Sequence, residues 1–345
     1  MSTDGHLSNE EEDRVNVKRK GLRIALAVAV GFSWMVYSGA IIPFLAPLFA
    51  AQFLISSSRP LPVQKALAIT VFILVVGALL QFVTVLTGDR PPVLLLLLGL
   101  IYFLCFYQQA NGNGGPTIFL LLVIAVMVPL LTILNEDLGD TILMILVQGV
   151  VTGMLLMWAA HVLIPDRGSP SLAAATSVTT YPRAARYAVA NTAILLVAVV
   201  ACLTRDGLAT AIVIPITVVS LLLQFDAAAS TRAALGIVIT NITGGLAASV
   251  AFTLLQVRPS LIFLFLLVLL AGLIFGGRAA MHQPAAKLYA GALTIFLLVF
   301  GTGVSPLPGS AAESFSTRVS YILAAIAYAI FMTTLLWPRQ EGSRV

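Results

Sequence analysis

Amide side chains stand inside the apolar runs of this chain, where polar groups are few. Gln52 and Gln224 each lie near the end of such a run, and Asn241 lies in the sequence T-N-I-T-G-G. An amide N–H can donate a hydrogen bond to a carboxylate, and the site then needs no buried cation. The same amide can equally hydrogen-bond a neighbouring helix, so a packing role is the alternative for each of these residues.

Two prolines interrupt apolar runs at related places. Pro47 lies in P-F-L-A-P-L-F-A and Pro215 lies in I-V-I-P-I-T. A proline inside a helix removes a backbone hydrogen bond, so we expect a kink at each, with freed carbonyls that substrate or water must satisfy. A kink that serves packing alone is the alternative. The predicted substrate pathway contains Pro47, Gln52, Pro215, Gln224 and Asn241.

Several basic residues lie next to apolar runs, and we predict that they share the inner side of the membrane. Four of them are predicted to form a positive inner vestibule that concentrates anions: Arg59, Lys65, Arg186 and Arg232. A vestibule lined by charges of one sign raises the local concentration of ions of the opposite sign. Basic residues also fix the orientation of a membrane protein, and this topological role is the alternative for each residue.

The composition explains why polar residues are so informative here. Hydrophobic residues make up 59% of the 345 residues, charged residues make up 10%, and the mean hydropathy is +1.03. A soluble globular protein has about 25% charged residues, so lipid is the predicted solvent. Twelve apolar segments between residues 22 and 337 predict an all-α integral membrane protein with about 12 transmembrane helices.

The two halves of the chain repeat one another in order and spacing. Lys65, Gly77 and Pro92 recur 167 residues later as Arg232, Gly244 and Pro259. A constant offset across landmarks favours a tandem duplication of two parallel six-helix repeats. The predicted segments are a disordered cytoplasmic tail (1–20), a first repeat (21–166), a cytoplasmic linker (167–184), a second repeat (185–339) and a C-terminal tail (340–345). Substrate is expected to pass between the repeats.

The distribution of positive charge predicts the orientation. With the N-terminus in the cytoplasm, fifteen of the nineteen Lys and Arg residues lie on the inner side. This bias follows the positive-inside rule, so both termini are predicted to be cytoplasmic and the membrane to be the cell's inner (plasma) membrane. An even number of spans in each half makes the repeats parallel, with their axis along the membrane normal.

Known sequence signatures of enzymes are missing from the chain. It has no phosphate-binding P-loop and no H-E-x-x-H or G-x-S-x-G sequence, and its two cysteines, Cys105 and Cys202, fall in different apolar segments. We therefore predict no enzymatic activity, no cofactor, no metal and no nucleic-acid partner. No Asp or Glu falls in the middle of a predicted span, so the sequence offers no carboxylate for proton coupling there.

Three longer stretches carry a family resemblance. They are P-F-L-A-P-L-F-A-A-Q-F-L (43–54), L-L-L-Q-F-D-A-A-A-S-T-R-A-A-L-G (221–236) with the Gly244-Gly245 pair, and the last span with its proline-arginine exit (318–339). Together they resemble the fusaric acid resistance protein-like family, as a compact membrane-only branch. The resemblance implies an aromatic acid exporter, and some members of that family work with a periplasmic adaptor of the membrane fusion type.

The predicted function is export of small organic anions, aromatic carboxylates above all, across the inner membrane. A drug carrier of the major facilitator type is an alternative, although the segment 56–65 lacks the glycine-aspartate-arginine signature of that group. A membrane scaffold subunit of an envelope complex, with no transport of its own, is the alternative from a different class. The predicted partners are an organic anion, the lipid bilayer and an adaptor protein.

Overall fold

The computed structural model describes residues 3–57, 59–88, 90–113, 116–134, 136–165, 184–204, 213–225, 231–281, 285–305 and 315–336. These residues form helices joined by short connections, and no β-strand occurs among them. Most of the predicted linker and the whole predicted C-terminal tail lie outside the described residues.

A helix occupies each of the twelve predicted apolar segments. They are α1 (Thr3–Tyr37), α2 (Leu45–Ser56), α3 (Val63–Thr87), α4 (Pro91–Gln108), α5 (Pro116–Leu134), α6 (Glu136–Leu163), α7 (Ala184–Leu203), α8 (Val213–Phe225), α9 (Thr231–Val257), α10 (Leu261–Ala279), α11 (Ala286–Val304) and α12 (Phe315–Leu336). By length and composition, eight of these described helices can cross a membrane: α1, α3, α4, α6, α7, α9, α10 and α11. The chain is therefore an all-α, multi-pass membrane protein. In α2, α5, α8 and α12 the apolar stretch among the described residues is shorter, namely 45–56, 117–133, 214–223 and 323–336.

The N-terminal segment differs from its prediction. Residues 1–20 were expected to be a disordered tail, whereas α1 is a continuous helix from Thr3. Glutamate, lysine and arginine are good helix formers, and a span that already begins near Gly21 supplies the costly nucleus. At 35 residues α1 is about 50 Å long, which exceeds the roughly 30 Å hydrocarbon core of a bilayer.

Pro47 also differs from its prediction. Pro47 is the third residue of α2, which begins after Phe44. The first amides of a helix have no intrahelical partner, so a proline there removes no hydrogen bond and opens no kink. Residues 205–212, just before the described part of α8, lie outside the described residues, so the kink expected at Pro215 stays a prediction. Among the described helices, α5 carries a proline in its interior, Pro129.

The helices form two compact units that do not coincide with the two halves of the sequence. Unit 1 comprises residues 1–74, 144–176 and 228–319, and unit 2 comprises 75–143, 177–227 and 320–345. Each unit therefore combines helices from both predicted repeats. Unit 1 contains α1, α2, α9, α10 and α11 with parts of α3 and α6, and unit 2 contains α4, α5, α7 and α8 with most of α12.

Within unit 1, α1 packs tightly against α10. A Cβ atom placed on Gly21 would lie 2.8 Å from Gly277 Cα, and one placed on Gly272 would lie 2.8 Å from Ala25 Cα. Because residue numbers rise along α1 while they fall along α10, the two helices are antiparallel. Residues Gly272–Gly276 form a π turn at this contact, a widening that often marks a functional segment.

The other directions in unit 1 follow from similar pairs. Gly149 and Gly153 of α6 meet Leu45 and Ala50 of α2 in the same order, so α2 and α6 are parallel. Helices α9 and α11 are also parallel, with two close contacts in rising order, Gly236 to Leu288 and Gly244 to Ala292.

Short α2 still returns to the depth at which the apolar part of α1 begins. Lys20 Nζ donates to the Ile55 carbonyl across 3.1 Å, close to the C-terminus of α2. Between these two residues the chain rises along α1 to Tyr37, turns at Gly39, whose φ of 71° suits glycine, and comes back. The bend before α2 thus makes up for the short helix.

Unit 2 is built around α4 and α7. Gly99 of α4 packs against Leu196 of α7, and the Tyr102 hydroxyl donates to the Ala125 carbonyl of α5 across 3.1 Å. A π turn, Gln109–Asn113, follows α4 and contacts α7. The turn contains Gly112 at φ 82°, so the helix ends there.

The two units share an internal pattern. In unit 1 the fourth helix of the second half, α10, packs on α1 and carries a π turn. In unit 2 the fourth helix of the first half, α4, packs on α7 and is followed by a π turn. Helices α11 and α2 contact one another in unit 1, and their counterparts α5 and α8 contact one another in unit 2.

Candidate functional site

Arg23 is the most deeply buried charged residue among the described side chains. It lies on α1 in the sequence G-L-R-I-A-L and is 2% exposed. Two close contacts with α10 flank it, Gly21 against Gly277 and Ile24 against Gly276. A charge that is kept inside an apolar span is costly, and such residues usually face a functional interior.

The basic residues just before Arg23 have specific contacts in unit 1. Lys20 donates to the Ile55 carbonyl near the C-terminus of α2, and Arg19 NH1 donates to the Pro165 carbonyl just after α6, also across 3.1 Å. Carbonyls at a helix C-terminus lack intrahelical partners and carry partial negative charge. Arg19 and Lys20 therefore cap two helices, beyond any role in setting topology.

A further cation stands beside this cluster. Arg278 follows Gly277 at the closest approach of α10 to α1, and its guanidinium lies 5.1 Å from the centre of the Tyr289 ring. Its NH1 also donates to the Tyr289 hydroxyl across 3.4 Å. Lys20 and Arg278 thus place positive charge on both helices of this contact.

Aromatic rings continue from the level of Arg23 along unit 1. Phe275, next to Gly276, lies 6.3 Å from Phe296, and Phe296 stacks on Phe300 at 5.5 Å between ring centres. Phe300 lies 5.3 Å from Phe32 of α1. These four rings form the aromatic row, which joins α1, α10 and α11 through buried contacts of favourable geometry.

Gln52 contacts α11, and Asn241 lies on a helix that packs along α11. Gln52 Nε2 donates to the Thr294 hydroxyl of α11 across 3.1 Å. Asn241 is completely buried on α9, which packs along α11. The hydrogen bond of Gln52 joins two helices, which is the packing alternative for that residue. The side chain of Gln224 lies outside the described residues.

The predicted vestibule residues occupy different surroundings. Arg59 and Lys65 are exposed in unit 1, and Arg186 is exposed in unit 2. The side chain of Arg232 lies outside the described residues. A vestibule shared by the four therefore stays a prediction, and the cation that the structure buries is Arg23.

Sequence reasoning counted Arg23 with the topological charges and missed its burial. A signal was present, because Arg23 follows Gly21 and precedes a long apolar run, one turn deeper than the Lys18-Arg19-Lys20 cluster. The small glycines that bring α10 close to α1 are what bury it, and that helix pair is remote in sequence.

The described residues contain no group of three or more His, Cys, Asp or Glu that could hold a metal ion. Cys105 and Cys202 are free and buried. The chain matches no protein-family model, and comparison with curated proteins and with solved structures finds no similar protein.

Proposed function

We propose that this chain exports small organic anions across the inner membrane. The observation that carries the proposal is Arg23, a cation buried in an apolar span of unit 1. Arg278 and Lys20 lie beside the same crossing of α1 with α10. A permanently charged guanidinium with a planar set of donors suits a carboxylate better than a cationic or neutral solute.

Export follows from the membrane potential. An interior that is negative favours anion exit by about 2.3 kcal/mol per charge per 100 mV. Transport of an anion in that direction needs no proton-carrying carboxylate. Capture at a buried cation near the cytoplasmic end, followed by release on the outside, is the mechanism we propose.

We also propose twelve crossings, with both termini in the cytoplasm. In unit 1, α2 and α6 are parallel. Because direction alternates with each crossing, an odd number of crossings must lie between them, and α3, α4 and α5 provide three. Helix α1 is antiparallel to α10, and α10 is antiparallel to α11 through the contacts of Gly276 with Leu293 and Arg278 with Tyr289. Helix α9 is parallel to α11 and therefore runs opposite to α6. This is the direction expected if α7 and α8 each cross the membrane once.

Two parallel repeats are part of the same proposal. The shared pattern of α1 with α10 and of α7 with α4 supports them. The periplasmic adaptor rests on the sequence resemblance alone.

Labelled organic acids in everted membrane vesicles test the function. Vesicles that contain the chain should accumulate labelled benzoate faster than vesicles without it, and a potential that drives anions inward should increase the rate. Equal rates with and without the chain, at verified expression, would favour the scaffold alternative.

The crossing of α2 has its own test. We expect a cysteine at Ser38 to react with an impermeant maleimide from outside and a cysteine at Ser57 to react only from the cytoplasmic side. Labelling of both from one side would show that α2 does not cross.

A further inference from the structure

Two buried threonines of unit 2 differ from the other buried threonines in the hydrogen bonding of their hydroxyls. Among the described side chains eight threonines are buried, and six of them donate to a carbonyl three or four residues back: Thr84, Thr87, Thr132, Thr294, Thr302 and Thr333. Such a bond is the usual way in which a helical threonine satisfies its hydroxyl inside a membrane. The hydroxyls of Thr192 and Thr217 have no hydrogen-bond partner in the part of the chain that the structure describes.

Both hydroxyls are deeply buried. Thr217 is completely buried and Thr192 is 8% exposed. A buried hydroxyl that makes no hydrogen bond is unfavourable, and the penalty is greatest in an apolar medium. Each of these side chains could turn to its own helix as the other six do, so their shared departure points to a ligand that they bind instead.

The two threonines lie on neighbouring helices of unit 2. Thr192 is on α7 and Thr217 is on α8. These two helices contact one another, so both hydroxyls belong to one packed pair of helices.

More polar groups lie on the same two helices. Asn191 precedes Thr192 and is completely buried, and Ser220, one turn after Thr217, is 3% exposed. Arg186 lies six residues before Thr192 on the same helix, toward the predicted cytoplasmic end. No acidic residue falls among the side chains that the structure describes in unit 2. The described surroundings therefore supply neutral donors with a cation nearby, which suits an anion better than a metal ion.

We infer that Thr192 and Thr217 form a second carboxylate-binding site, in unit 2, which donates one hydroxyl hydrogen bond to each oxygen of the transported anion. The inference rests on the proposed function. Neutral donors hold an anion more weakly than a guanidinium does, and transport requires sites that bind and also release. Arg23 supplies the strong site of unit 1 and the threonine pair supplies a weak site.

The number of benzoate molecules bound per chain tests the threonine site directly. It is measured by equilibrium dialysis of labelled benzoate against the purified full chain in detergent. We expect two bound per wild-type chain at saturation and one bound per Thr192→Val/Thr217→Val chain, with the tighter site unchanged. Thr132→Val is the matched control, because Thr132 is also buried in unit 2 but donates to the Val128 carbonyl. That variant should still bind two.

The outcomes separate the two proposals. One benzoate per chain both in the wild type and in the double variant, or two in both, overturns the threonine site and leaves the anion exporter standing. No benzoate bound by a wild-type chain that is folded overturns both. Thr192→Ser/Thr217→Ser keeps both hydroxyls and should restore two-site binding, which distinguishes hydrogen bonding from a packing effect of the valines.

Discussion

Gly21 of α1 and Gly277 of α10 meet so closely that a Cβ atom on Gly21 would lie 2.8 Å from Gly277 Cα. The approach is one-sided, because a Cβ atom on Gly277 would meet nothing within 4 Å. Close backbone contact of this kind is how membrane helices gain packing energy without a hydrophobic driving force. It also brings Arg278 beside the helix that carries Arg23.

The one-sided contact predicts unequal effects of alanine. Gly21→Ala should destabilise the protein by about 1–3 kcal/mol, because the backbone of α10 must move away. Gly277→Ala should change stability little, since its methyl group enters open space. Thermal unfolding in detergent measures both variants. An equal loss in the two variants would contradict this packing.

Lys20 should stabilise the protein more than its neighbour Lys18. Lys20 donates to the Ile55 carbonyl, whereas Lys18 is exposed. Lys20→Met should lower stability by about 0.3–1 kcal/mol, the usual effect of losing a cation at a helix C-terminus. Lys18→Met is the control for charge and topology. Equal melting temperatures for the two variants would return Lys20 to a purely topological role.

The bond between Gln52 and Thr294 should act as a contact between helices. In a double-mutant cycle with Gln52→Leu and Thr294→Val, we expect a coupling of about 0.6 kcal/mol, the average for such bonds in membranes. Benzoate export by Gln52→Leu should stay near the wild-type rate at normal expression. Lost export with normal stability would instead restore Gln52 to the substrate pathway.

The predicted vestibule makes its own prediction. If Lys65 and Arg232 concentrate anions, Lys65→Gln and Arg232→Gln should reduce export mainly at low substrate concentration, because capture is weakened. Initial rates in everted vesicles across a range of benzoate concentrations measure this. Export unchanged in both variants at every concentration would leave the two residues a topological role.

The positions of the helices could be read from the sequence because bilayer thickness demands long apolar runs. All twelve predicted segments contain a helix, and α4 and α11 each begin one residue before the predicted segments 92–108 and 287–304. Whether Pro47 kinks its helix could not be predicted in the same way. Its effect depends on where α2 begins, and the bend after Gly39 decides that through contacts with other helices.

The candidate site was harder to predict for the same reason. Arg23 and Arg186 open similar sequences in the two halves, yet Arg23 is buried and Arg186 is exposed. The difference arises from the partner helix, since glycines of α10 admit α1 closely in unit 1. Thr192 and Thr217 likewise look like ordinary helical threonines until their hydrogen bonds are seen.

The role of Arg23 is tested most directly in proteoliposomes that hold the purified chain and an imposed membrane potential. We expect potential-driven benzoate flux in the wild type, a fall of about tenfold or more in Arg23→Gln because a charged hydrogen-bond donor is lost, and partial retention in Arg23→Lys. Wild-type flux in Arg23→Gln, at equal reconstitution and stability, would contradict anion binding at Arg23.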